Sequence, residues 1–217
     1  MFKRLFGPGT QSSLIDAAFS DVSSMLAQSG RMFDLAVEAL LGNQPLSADL
    51  EQMDDSVDEG ERMVRRTVLQ HLSVNPQQDL VASLVLASMV QDAERIGDFA
   101  SGLGHLVELA QSPREGPYRD ELREMVDEIR PMFQLCEEAF REDDPEKARK
   151  VITAHRAVRK KLSAFRRRVA KSDLSADMAV VYAGASAALR RTSAHLCNIA
   201  STVVQPYDRI RGGDEDV

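Results

Sequence analysis

The feature that most constrains this chain is a three-and-four spacing of apolar residues, recurring in long segments separated by Gly- and Pro-bearing turns. In the first segment, about Ser12 to Leu41, the stripe is Ile15, Ala18/Phe19, Val22, Met25/Leu26, Met32/Phe33, Ala36/Val37 and Leu40. Gly42-Asn43-Gln44-Pro45 then stops the helix. The same reading predicts helices at about Ser47–Leu72, Gln77–Gln111, Tyr118–Arg141, Pro145–Lys171 and Ser175–Val204. Pro76 is expected in the first turn of the third helix, and Asp144 as the N-cap of the fifth. The clearest break is Ser112-Pro113-Arg114-Glu115-Gly116-Pro117. Three helices fall on each side of it, an internal repeat of about 100 residues. The expected fold is all-α: two tandem three-helix bundles, at residues 12–111 and 118–205. The Gly- and charge-rich tail, 206–217, is expected to be flexible.

The third segment is apolar on more than one face, through Leu80, Val81, Leu84, Val85, Leu86, Met89, Val90, Ile96, Leu103, Leu106 and Val107, which marks it as the central helix. Gly60 in the second segment and Gly97, Gly102 and Gly104 in the third are expected to admit a close neighbour. Pro131 is expected to bend the fourth.

Composition excludes several classes. A net charge of −7 argues against a nucleic-acid binder. The two cysteines, Cys136 and Cys197, have no zinc-type spacing and read as core thiols in a reducing compartment. No run of about 18 apolar residues exists to span a membrane. The start, Met1-Phe2-Lys3-Arg4-Leu5-Phe6-Gly7, is basic and apolar but too short for a secretory signal, and allows at most peripheral membrane contact. There is no Gly-rich phosphate loop, and His71, His105, His155 and His195 are scattered without a partnered nucleophile.

Charge is organised more sharply than composition suggests. Glu94 and Asp98 lie one turn apart on the third helix, and Asp54 and Asp58 have the same spacing on the second. Antiparallel neighbours can bring these pairs together, where four carboxylates repel unless a positive charge lies between them or some are protonated. Two readings stay open: a bound cation, with help from Asp55, or a solvated patch neutralised by Arg95 and by Arg62, Arg65 and Arg66. The second half is opposite in sign. Lys147 to Ser172 contains no acid, yet carries Arg156, Arg159, Lys160, Lys161 and Arg166-Arg167-Arg168 among other basic residues. Arg190, Arg191 and His195 follow on the last helix.

Glu94-Arg95-Ile96-Gly97-Asp98, followed by Phe99 and Ala100, resembles the signature of PhoU-like proteins, and the pattern extends over roughly residues 12 to 205. The resemblance implies two three-helix repeats, each normally carrying Glu/Asp-x-x-x-Asp pairs that bind metal clusters. Matching Val57 to Val158, and Asn198-Ile199-Ala200 to the Asn-Ile-Ala that follows the family motif, sets the register of the second repeat. Asp54 then corresponds to His155, Asp58 to Arg159, Glu94 to Arg190 and Asp98 to Ala194. The second repeat therefore departs from the family pattern and has none of these ligands. At most one metal site per chain is expected, at Asp54, Asp58, Glu94 and Asp98, for a divalent cation or an iron or zinc cluster. His155, Arg159 and Arg190 are expected to take an anion, such as phosphate or polyphosphate, or an acidic partner.

The resemblance further implies a cytoplasmic, non-enzymatic homodimer that regulates phosphate uptake and phosphate-responsive signalling through contacts with a phosphate transporter and a sensor kinase. Two rivals are an accessory subunit of a different membrane transporter, with Phe2, Lys3, Arg4 and Phe6 near the bilayer, and a di-metal helical enzyme. The second needs Glu-x-x-His pairs, and none occurs at Asp58 or Glu94.

Overall fold

The structure, a computed structural model, describes residues 13–210. These form α1 (Ser13–Gly42), α2 (Leu50–Val74), α3 (Leu80–Leu109), α4 (Pro117–Glu142), α5 (Pro145–Val169) and α6 (Ala176–Val204), then a 3-10 turn at Tyr207–Arg209. No strand occurs among the described residues. The apolar stripes are the reason. Ile15, Val22, Met32, Phe33 and Leu40 of α1, and Leu122, Val126, Ile129 and Phe140 of α4, are at most 2% exposed.

Helices α1, α2 and α3 form one bundle and α4, α5 and α6 the other. The bundles meet where α3 packs on α6 and α1 on α4, so a single hydrophobic cluster runs through both. α3 touches α1, α2 and α6, which explains its apolar residues on more than one face.

The start of α3 differs from expectation. Pro76 to Asp79 form a turn, and the helix begins at Leu80 instead of Gln77. Asp79 is left-handed, with φ 53°, and the buried His71 ring holds the turn, its Nε2 3.0 Å from the Gln78 carbonyl oxygen. Leu80, Val81 and Leu84, expected inside, are 44%, 41% and 36% exposed. They face away from the buried side of α3, which is built from Ala82, Val85, Leu86 and Met89. Gly60 and Gly104 do meet close neighbours, a Met25 side chain and a Leu50 side chain, but Gly102 faces open space. Cys136 is buried, whereas Cys197 is only partly covered.

α4 runs on through Pro131, and Asp144 caps α5 by accepting from the Glu146 and Lys147 amides. The segment between the bundles is strapped down. Arg114, 6% exposed, donates from Nε to the Leu40 carbonyl at 2.7 Å, and Arg119 donates to the Leu41 carbonyl at 3.0 Å. Asn43 brackets the Arg114 backbone, accepting from its amide at 2.7 Å and donating to its carbonyl at 3.1 Å. Together they satisfy carbonyls that the last turn of α1 leaves without intrahelical partners. After α6, Ile210 packs against the core. The basic start and the acidic end of the tail lie outside the described residues.

Candidate functional site

α2 and α3 place all four predicted carboxylates in one electrostatic field. Gly97 has no side chain, which lets Asp54 seat against α3: a Cβ at Gly97 would stand 2.9 Å from Asp54 Oδ1. Asp54 Oδ1 and Glu94 Oε2 are buried and accept no hydrogen bond. Burial raises the Asp54 carboxyl to about 6, reinforced by Asp98, Asp58 and Asp55. Burial likewise raises Glu94 to about 7, with Asp98 adding to the rise and Arg95 opposing it.

Arginines answer part of this charge. Arg95 donates to Asp98 at 2.7 Å and lies 3.5 Å from Glu94, and Arg62 lies 3.6 Å from Asp58. Among the described residues, no three His, Cys, Asp or Glu side chains converge as a ready-made ligand set. The predicted ligands are thus neighbours, and Arg95 spans two of them. The donors still suit a hard cation: all are carboxylate oxygens, and Asp54 Oδ1 and Glu94 Oε2 accept no hydrogen bond, although the Arg95 guanidinium stands 3.5 Å from the second.

The second repeat puts the corresponding positions in contact. In the register read from the sequence, His155 corresponds to Asp54 and Ser193 to Gly97, and His155 Nδ1 lies 3.0 Å from Ser193 Oγ. His155 is 6% exposed. Burial, with Arg159, Arg190 and Arg156 around it, lowers its pKa to about 4, so the ring is neutral at ordinary pH. A neutral ring adds no positive charge to the arginines around it. The Nε of Arg190 is buried without a hydrogen-bond partner.

The residues that join the bundles were not singled out as a unit from the sequence. Asp92, 2% exposed, accepts from His195 Nδ1 at 2.7 Å and from Asn198 Nδ2 at 3.0 Å. His195 stacks on Phe99 at 5.5 Å, and the Arg191 guanidinium lies 5.4 Å from the same ring. In the same register Phe99 and His195 are equivalent positions, the residue after Asp98 in the first repeat and after Ala194 in the second. That equivalence was the available signal: Phe99, which follows the motif of the first repeat, packs on its counterpart His195 in the second.

Comparison with known proteins agrees with this architecture. No curated protein sequence matches the chain. Among solved structures, the phosphate transport system regulatory protein PhoU from Streptococcus pneumoniae superposes with a TM-score of 0.80 at 18% identity, covering 94% of this chain and 98% of that one. PhoU from Pseudomonas aeruginosa gives 0.78 at 23% identity, covering 88% and 96%. Both show the same fold. The PhoU domain itself matches twice, over residues 22–107 and 122–203, which is most of each bundle; the chain belongs to the PhoU family.

Proposed function

We propose that this chain is a non-enzymatic regulator of phosphate uptake and phosphate-responsive signalling, acting in the cytoplasm by contact with a phosphate transporter, a sensor kinase, or both. The observation that carries this reading is the double PhoU-domain match, one in each bundle. Binding through helical faces suits a molecule whose charge is divided between an acidic α2–α3 surface and a basic α5. The same division favours a homodimer through complementary contacts. No described helix is long and apolar enough to cross a membrane, so any transporter contact is made from outside the bilayer core.

A cation held by Asp54, Asp58, Glu94 and Asp98 is part of the proposal. It would supply positive charge to the orphaned oxygens of Asp54 and Glu94 and fix the acidic face in one arrangement. The chain's own contribution is the oxygen donors, the Gly97 gap that seats Asp54, and Arg95, which covers Glu94 and Asp98 when no metal is bound.

Elemental analysis of protein purified without chelator or affinity metal, wild type beside Glu94→Ala/Asp98→Ala, tests the metal. Stoichiometric metal in the wild type and its loss in the variant is the expected result; no metal in either leaves the patch to a basic partner. Complementation of a strain lacking its own copy, read by a phosphate-starvation reporter, tests the regulatory role. A reporter that ignores this chain at every phosphate level would refute it.

A further inference from the structure

α1 and α4 run antiparallel across the junction of the bundles, and their seam is not filled along its whole length. Phe33 packs on Phe133 with ring centroids 5.2 Å apart, and Phe19 stacks on Phe140 at 4.7 Å. Between these two ring pairs a cavity of about 350 Å³ lies against both helices. That volume falls at the lower end of the range, about 300–1,000 Å³, in which proteins hold small organic molecules. Leu26, Ala27 and Gly30 of α1 and the Phe133 ring of α4 form its apolar lining. Gly30 lets the ring lie there, because a Cβ at that position would stand 3.1 Å from Phe133 Cδ1.

The charged groups around this cavity are answered unevenly. Arg130 donates to Asp34 and Glu38 at 2.8 Å each and to Asp127 at 3.1 Å. Glu137 pairs with Arg141 at 3.1 Å. The two carboxylates on the lining, Asp34 and Glu137, are therefore already neutralised, and neither is left to hold a cation. Arg31 differs. It donates to the side-chain oxygen of Gln28 at 3.3 Å and, among the described residues, makes no ion pair. One unanswered guanidinium at the rim of an apolar cavity gives the site a polarity. An apolar body belongs inside, and one anionic group belongs at the mouth, where a charge-assisted hydrogen bond awaits it.

We propose that the α1–α4 cavity binds a small amphipathic organic anion, its flat apolar body against Phe133, Leu26 and Ala27 and its single carboxylate, sulfonate or phosphate on Arg31. A planar ring suits the site best, because Phe133 offers a ring of its own for stacked or edge-on contact. Such a ligand touches the first bundle through α1 and the second through α4. Its affinity therefore depends on how the two bundles pack, and by linkage its binding favours the packing that holds the cavity open. The site rests neither on a metal at the acidic pairs nor on the phosphate reading, so each can fail without the other.

The test titrates the full chain with anilinonaphthalene sulfonate, an aromatic body carrying one anionic group, and with its neutral counterpart phenylnaphthylamine, both read by fluorescence. Ala27 and Arg31 are exposed, so Ala27→Trp and Arg31→Gln alter the cavity without disturbing the core. Arg31→Gln is expected to weaken the sulfonate at least about tenfold and to leave the neutral compound unchanged. Ala27→Trp fills the cavity and is expected to weaken both. In the wild type, the sulfonate is expected to shift the amide NMR signals of Ala27, Gly30, Arg31 and Phe133. No binding of the sulfonate up to about 1 mM overturns the proposal, as do shifts confined to other residues. An Arg31→Gln effect that is equal for the two compounds, or an Ala27→Trp variant that binds both as the wild type does, overturns it as well.

Discussion

Glu94→Gln preserves size and removes a charge that the fold holds at a cost. The Glu94 carboxyl rises from 4.5 in the unfolded chain to about 7 in the folded one. A raised carboxyl contributes stability that is fully present below the unfolded value and is lost as pH rises through the folded one. At pH 8 the whole shift therefore opposes folding. A shift of about 2.5 units at about 1.36 kcal/mol per unit sets a ceiling of about 3 kcal/mol. The side chain is 16% exposed and Arg95 stands 3.5 Å away, so screening reduces the expected gain to about 1–2 kcal/mol. In chelator-treated protein, urea unfolding is expected to show Glu94→Gln more stable than wild type by this amount at pH 8. At pH 5, where folded Glu94 is already protonated, the gain is expected to fall below about 0.5 kcal/mol. A variant less stable at pH 8, or equally stabilised at both pH values, would refute the argument that Glu94 is a strained charge.

Two glycines on one helix are expected to respond in opposite directions in thermal unfolding. Gly97→Ala places a Cβ 2.9 Å from Asp54 Oδ1 and is expected to cost about 1–2 kcal/mol despite the better helix former. Gly102→Ala meets nothing within 4 Å and is expected to gain up to about 1 kcal/mol. Arg114→Ala strips the Leu40 carbonyl of its buried guanidinium and is expected to cost about 2–3 kcal/mol by urea unfolding. A loss below about 0.5 kcal/mol would mean that water replaces that bond.

The six helices were legible because each buries a stripe at helical period, and burial enforces that period. Ile15 to Leu40 in α1 and Leu122 to Phe140 in α4 show the rule directly. The start of α3 was misread because Pro76 suits either a first helical turn or a plain turn. The choice is made by the left-handed Asp79 and the buried His71 ring. Leu80, Val81 and Leu84 look like core from hydropathy alone, and only the position of neighbouring helices leaves them exposed. The strap at Arg114 was invisible for a similar reason. A linker sequence shows its breaks but not which helix end lies within reach.

The candidate site divides along the same line. The i,i+4 spacing of Asp54/Asp58 and of Glu94/Asp98 is enough to put each pair on one face of its helix, since helical geometry alone does this. The reversal to His155, Arg159 and Arg190 in the second repeat is likewise written in the residue types. The packing of α2 on α3 decides that Asp54 seats in the gap at Gly97 and that two carboxylate oxygens end without partners. The contact of α3 with α6 decides that Phe99 meets His195 and that Asp92 is buried among donors. Periodicity and charge are local and survive in a single sequence. Burial, orphaned polar atoms and pKa shifts depend on which surfaces meet, and exist only once the helices have packed.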